Sequence, residues 1–315
     1  RIEYLDRNGS LSQACLGNDT FDACLAGELQ ASGAARASYQ VEHLPLALVL
    51  AFALESPPVS LQGAINGTGT VQRSATGELS GKAQLLSASG KVLPSSLSGP
   101  DVTPLLAYSG LTITGDFSGK TAQVALDATL DESGTLSGRL AATGIGEAST
   151  PLDGSLSADL PQLAVLSTLA PQLVDIRGSA TLQAAIAGTL QSPDVSGQID
   201  IRNFAANVPR LGLQLRNGEL RVSGQVDGAL LVAGRVTSGD GFVQVDGTTS
   251  LAGTTRIAVT GKDFLAADIP GVRVTATPDL VLQRNDEQLS LVGYVKLPRA
   301  DIDLARLPRG PRPQA

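Results

Sequence analysis

The sequence predicts an all-β fold: an elongated, strongly curled antiparallel β-sheet, open as a groove, with a hydrophobic interior and one or two short helices. The first observation behind it is a recurring phrase, a glycine set two residues from apolar residues on the same side of an extended strand. It reads Leu136-Ser-Gly138-Arg-Leu140, Val195-Ser-Gly197-Gln-Ile199-Asp-Ile201, Leu220-Arg-Val222-Ser-Gly224-Gln-Val226, Val232-Ala-Gly234-Arg-Val236 and Leu289-Ser-Leu291-Val-Gly293-Tyr-Val295. Side chains alternate across a strand with period two, so each phrase builds one apolar face and one face of Ser, Gln, Arg and Asp. The second observation is that turns recur about every ten residues from residue 58 onward, which fits an antiparallel meander and not alternating βαβ units. The third is composition: 42% of residues are hydrophobic but only 3% aromatic, with no Trp and no Met, so the apolar side is aliphatic.

Residues 1–57 read as a hairpin followed by a short helix. Cys15 and Cys24 flank a Gly-Asn-Asp turn, and cross-strand neighbours at that separation meet disulfide geometry. That pairing places the chain outside the cytosol; the competing reading is two reduced, buried cysteines. No CxxC exists and the single His cannot complete a zinc site. The apolar run from Leu44 to Leu54 is about half the length needed to cross a bilayer, so a short buried helix is expected after Pro45.

Residues 58–158 form groove strands, among them Ser60–Ile65, Gly77–Leu85, Leu111–Phe117 and Gln123–Leu130, with an irregular crossover at 99–110. Gly67-Thr-Gly69 and Gly144-Ile-Gly146 lack the third glycine of a dinucleotide fingerprint and read as turns. Residues 159–305 continue the groove after a short amphipathic helix, with Asp159 as N-cap, Pro161 in the first turn and Pro171 ending it. Residues 306–315 are a Pro/Arg-rich tail or truncation point. Glycine inside a strand packs nothing and weakens it. Here the glycines lie in phase with the apolar residues, where they let the sheet curl around its greasy side or else mark bulges.

Several function classes lose support. Net charge is −7 with pI near 4.8, and no basic stripe suits nucleic acid. His43 is the only histidine, no G-x-S-x-G elbow occurs, and acidic residues stand singly, so the residues argue against an enzyme and call for no cofactor or metal. Residues 1–30 carry no signal peptide. A sheet with one aliphatic face folds back as a sandwich, is covered by helices, or stays open around something apolar. Helix content is too small for the second choice, a closed sandwich is the plainer reading, and an open trough for acyl chains is the sharper one.

Further residues carry a family resemblance. Ala158-Asp-Leu-Pro-Gln-Leu through Leu182, Gly188-Thr-Leu-Gln-Ser-Pro193-Asp-Val-Ser-Gly197, Val208-Pro-Arg-Leu-Gly212 through Leu220, Gly261-Lys-Asp-Phe264 with Asp268-Ile-Pro270, Thr277-Pro278-Asp279-Leu280 and Leu291 through Ile302 resemble the TamB family, AsmA-like proteins of the translocation and assembly module. The Cys15–Cys24 hairpin and Leu44-Pro-Leu-Ala-Leu are also similar, and the likeness is weakest over 60–150. The resemblance implies a periplasmic segment of an inner-membrane-anchored protein whose anchor these residues lack. It also implies a role in moving phospholipids toward the outer membrane, and a barrel partner, TamA, engaged through a region outside this chain.

On that basis the expected lining of the lipid groove is Leu136, Leu140, Val195, Ile199, Ile201, Leu220, Val222, Val226, Leu230, Val232, Val236, Val243, Val245, Leu289, Leu291 and Val295. The alternatives are a chaperone-like scaffold that holds strands of outer-membrane proteins and a β-solenoid whose apolar side is a closed core.

Overall fold

A computed structural model describes residues 2–5, 8–53, 59–94, 104–131, 133–147, 149–163, 170, 172–224, 228–250, 254–285 and 288–303. The fold is all-β, antiparallel throughout and not closed, with almost no helix. Two compact units divide it: Arg1–Asp159 with Gln183–Val195, and Leu160–Leu182 with Ser196–Ala315.

The first unit is built on β1 (Ile2–Leu5), β2 (Asn8–Gly17), β3 (Asp22–Leu29), β4 (Ala35–Pro45), β5 (Val59–Arg73), β6 (Leu79–Pro94), β7 (Leu106–Ser118), β8 (Thr121–Leu130), β9 (Gly134–Thr143) and β10 (Leu152–Leu160). Each pairs with the next in sequence. β11 (Val174–Thr189) and the start of β12 (Ser192–Val208) cross the division between the units. The second unit continues through β13 (Leu213–Gly224), β14 (Ala229–Ser238), β15 (Gly241–Ser250), β16 (Thr255–Lys262), β17 (Phe264–Ile269), β18 (Val272–Asn285) and β19 (Gln288–Ile302). There β12 to β16 pair in sequence, β18 takes both β16 and β17 along its length, and β19 pairs with β18.

The strand glycines explain how an aliphatic face packs without a second layer. Tyr39 of β4 stands opposite Gly69, and Phe117 of β7 opposite Gly81. A Cβ on either glycine would run into the ring. In the second unit Leu220 covers Gly234, where a Cβ would lie 2.9 Å from its Cδ1. Each missing side chain is therefore the hole into which a neighbour lies down. Gly67 and Gly69, expected as a turn, sit inside β5, and Gly67 is covered by Leu85.

Three glycines share an unusual backbone. Gly63, Gly178 and Gly293 have φ of 130°, 126° and 137°. They fall 115 residues apart in the phrases Val59-Ser-Leu61-Gln-Gly63, Val174-Asp-Ile176-Arg-Gly178 and Leu289-Ser-Leu291-Val-Gly293. At each, a Cβ would collide with the neighbouring strand's backbone, at Ser89, Arg202 and Asp279 respectively. L side chains avoid this φ region, so glycine is required at all three. Three strands 115 residues apart thus share one fixed structural marker.

The disulfide forms between directly opposed residues: Cys15 and Cys24 face each other across β2 and β3, with S–S 2.03 Å. The first expected helix is α1 (Leu46–Ala53), packed on β5 and β4. It is less buried than expected: Leu46 is buried, whereas Leu48 and Val49 are exposed, because the run is apolar on all sides and the sheet covers only one. Most of the second expected helix lies outside the described residues, but Asp159 is not a cap; it pairs with Thr135 inside β10. Leu163 is buried and reaches over Gly178. Residues 106–110, expected as irregular, are the start of β7. The Arg306–Pro313 tail lies outside the described residues.

Candidate functional site: an uncovered aliphatic face

Cross-strand register sorts the side chains into rows. In the first unit one row runs Leu25, Tyr39, Gly69, Ala83, Gly115, Val124, Leu140, Gly154 from β3 to β10. The adjacent row on that face runs Ala23, Val41, Gly67, Leu85, Ile113, Leu126, Gly138, Leu156, over the same strands. The intervening positions form the opposite face: Cys24, Gln40, Thr68, Gln84, Thr114. The second unit repeats the arrangement. Ile201, Leu220, Gly234, Val245, Val259, Leu280, Gly293 make one row, and Ile199, Val222, Val232, Gly247, Ile257, Leu282, Leu291 the next.

Nothing among the described residues covers these rows as a second layer would. Leu25 is 49% exposed, Val124 42%, Ile199 41% and Leu291 62%. In a closed sandwich such central positions would be buried. Contiguous apolar surface on this scale marks an interaction site. At the end of the first unit's apolar face, Leu11, Leu29, Ala35, Ala37, Val71 and Leu79 line a cleft of about 550 Å³.

Among the residues expected to line the groove, Leu136 and Leu140 share the apolar face of β9 in the first unit. Val195 is exposed at the start of β12, in that same unit. Ile199, Ile201, Leu220, Val222, Leu230, Val232, Val236, Val243, Val245, Leu289, Leu291 and Val295 fall on one face of the second unit by register. Val226 lies outside the described residues. The groove strands expected at 111–117 and 123–130 contribute Ile113, Gly115, Val124 and Leu126 to these rows, residues that the expected lining did not name.

The polar face is held by its own contacts. Arg221 Nε donates to Asp200 Oδ1 at 2.7 Å, and Gln198 donates to the other carboxylate oxygen. The Arg221 hydrogen bond, helped by Gln198, holds the Asp200 carboxyl below its ordinary value against the opposing effect of burial. Arg235 stacks 3.6 Å above the Phe242 ring. His43, at φ 54°, sits at the register shift between Val41 and Leu44 in the β4–β5 pairing and donates its backbone N–H to Asn66 Oδ1 at 2.9 Å. Among the described residues no three His, Cys, Asp or Glu side chains converge as a metal site, and no helix is long and apolar enough to cross a membrane.

Rows of aliphatic side chains, glycine holes beneath them and a face left uncovered among the described residues define an open antiparallel β-sheet protein with one apolar face in each unit. Comparison with known proteins agrees with that class: residues 2–201 match the TamB N-terminal domain and residues 232–313 the TamB C-terminal domain. The chain belongs to the TamB family. It is 21% identical over 203 residues to the translocation and assembly module subunit TamB of Haemophilus influenzae, an alignment covering 63% of this chain and 15% of that protein. No solved structure matches.

Proposed function

We propose that this chain is a lipid-conducting segment of a translocation and assembly module. Phospholipid acyl chains lie along its aliphatic rows while head groups stay in water, supporting outer-membrane biogenesis from the periplasm. The observation that carries this reading is the exposure of continuous aliphatic rows. An acyl chain of roughly 16 carbons, at about 0.8 kcal/mol per CH₂, faces a barrier on the order of 12 kcal/mol in water. A lane of Leu, Val and Ile removes most of it without chemistry. The reading assigns no catalytic residue and no cofactor. The reading assigns no residue of the rows described above to contact with an outer-membrane barrel partner, TamA.

The test is to place charge in the middle of the rows. Val222→Asp with Val232→Asp leaves the backbone ladder in place, and transfer of photo-crosslinkable phospholipid between donor and acceptor membranes should stop. Transfer continuing at the wild-type rate through a folded variant would remove the conduit reading.

A second reading has one observation in its favour. β19 is exposed along all fifteen residues, Leu289, Leu291, Val292 and Tyr294 included, and an extended apolar strand of this kind suits pairing with a strand of a client protein. Crosslinkers placed on β19 that capture polypeptide and no lipid would favour it.

A further inference from the structure

The apolar rows of the two units contain almost no charge, and where charge occurs it is the same residue in the same kind of place. In the first unit the outermost row on the apolar face runs Leu29, Ala35, Arg73, Leu79. Among the described residues Arg73 is the one charged side chain in the apolar rows of β2 to β10. In the second unit the outermost row includes Leu230, Thr249, Thr255, Arg284 and Leu289. Among the described residues Arg284 is the one charged side chain in the apolar rows of β12 to β19. Both arginines stand at strand ends and are exposed.

Neither guanidinium has an ion-pair partner among the described residues, unlike Arg221, Arg273 and Arg299 on the polar side. Arg73 lines the 550 Å³ cleft together with Leu29, Val71 and Leu79, and Glu3, Glu28 and Arg36 of the opposite face reach its edge. It also lines a polar cleft with Gln72 and Glu78, and its guanidinium reaches over Gly77 in the following turn. The charge therefore sits where the apolar face meets water.

We infer that Arg73 and Arg284 are head-group anchors, each holding the phosphate of a phospholipid whose acyl chains lie on the adjoining rows. The inference rests on the acyl-lane reading and adds to it a preference for an anionic amphiphile. The chemistry is specific: a long apolar stem lets arginine lie along the lane, and its planar fork donates two parallel hydrogen bonds to a phosphate. A lane meant only for neutral chains or for an apolar polypeptide strand gains nothing from a guanidinium at its rim.

The experiment offers the 315-residue chain vesicles of phosphatidylcholine carrying either labelled phosphatidylglycerol or labelled diacylglycerol with the same acyl chains, then removes the vesicles and counts protein-bound label. The wild type should retain phosphatidylglycerol over diacylglycerol by about tenfold, in keeping with a charge-assisted hydrogen bond at a partly wet site. Arg73→Gln with Arg284→Gln should abolish that preference while diacylglycerol retention stays at the wild-type level, and each single variant should lose part of it. An unchanged preference in the double variant would overturn the anchor assignment and leave the acyl lane standing. Retention of neither lipid by the wild type would overturn the lane itself, and the anchors with it. Displacement of phosphatidylglycerol by millimolar inorganic phosphate would mark a free-anion site and count against a lipid anchor.

Discussion

The two units each carry an aliphatic face but differ in charge and in what ties them together. The first carries 8 Lys and Arg against 17 Asp and Glu, the second 15 against 13. The acidic unit is stapled by Cys15–Cys24 and covers Gly69 and Gly81 with the rings of Tyr39 and Phe117, and Gly67 with Leu85. The second has no disulfide among its described residues, covers Gly218 with the Phe204 ring and Gly234 with Leu220, and ties its polar face with Arg221–Asp200 and Arg235 on Phe242. What both units keep, across that difference, is an aliphatic face with glycine holes. A one-layer sheet needs its glycine holes filled, and rings or leucines both fill them, with different tolerance for change.

The largest expected effect comes from attacking that tolerance. At Gly81 an added Cβ meets the Phe117 ring and lies 2.6 Å from the Thr70 carbonyl oxygen, so Gly81→Ala should cost roughly 3 kcal/mol in urea unfolding. At Gly234 the nearest atom is the far end of Leu220, at 2.9 Å, and Gly234→Ala should cost about 1 kcal/mol. Gly115→Ala, with nothing nearer than 3.7 Å, should change stability by less than about 1 kcal/mol. Equal costs at all three would remove the hole-filling account.

Next in size is the staple. The bridge closes a loop of sequence separation 9, so Cys15→Ser with Cys24→Ser should lower the stability of the first unit by about 2–3 kcal/mol. Hydrogen exchange should report the loss in β2 to β4 and leave β13 to β15 unchanged. Loss spread evenly over both units would contradict the local role.

A smaller effect belongs to the second unit. The folded-state pKa of Asp200 is depressed, so its stabilising contribution is complete above the unfolded carboxylate value, near 3.9, and is lost as pH falls through the lower folded value. Arg221 is 59% exposed, so solvent screening limits the pair, and Asp200→Asn should cost about 1 kcal/mol or less at pH 7. The gap between variant and wild type should narrow steadily as pH falls below the unfolded carboxylate value; a gap that stays constant down that titration would show that packing, not charge, is responsible. The smallest effect is at Lys120–Glu147, 2.7 Å apart but 67% and 52% exposed. Lys120→Ala should move the midpoint by less than about 0.5 kcal/mol.

Much of this was legible locally. Period-two alternation is written into Val195 to Ile201 and Leu220 to Val226, and the Cys15–Cys24 pairing follows from one tight turn. What failed to show depends on neighbours far away in sequence. Gly67-Thr-Gly69 looks like a turn because glycine carries no side chain to reveal alternation; only Leu85 and Tyr39, brought alongside by register, make it a strand. Asp159 has the chemistry of a cap, but pairing with β9 takes it into the sheet first. Arg73 is in phase with Val71, yet at a strand end its polarity reads as a loop, and nothing local distinguishes an anchor from a turn residue. The 115-residue spacing of Gly63, Gly178 and Gly293 stayed hidden because the three strands share little beyond two apolar positions and a glycine whose φ the letters do not record.

The central claim is that the aliphatic face of each unit is open to hydrocarbon. Photo-reactive residues at Leu140 and Val222, on that face, and at Gln84 and Arg235, on the other, test it within living envelopes. The account predicts phospholipid adducts at Leu140 and Val222 and none at Gln84 or Arg235; adducts in equal yield on both faces, or on neither, would contradict it.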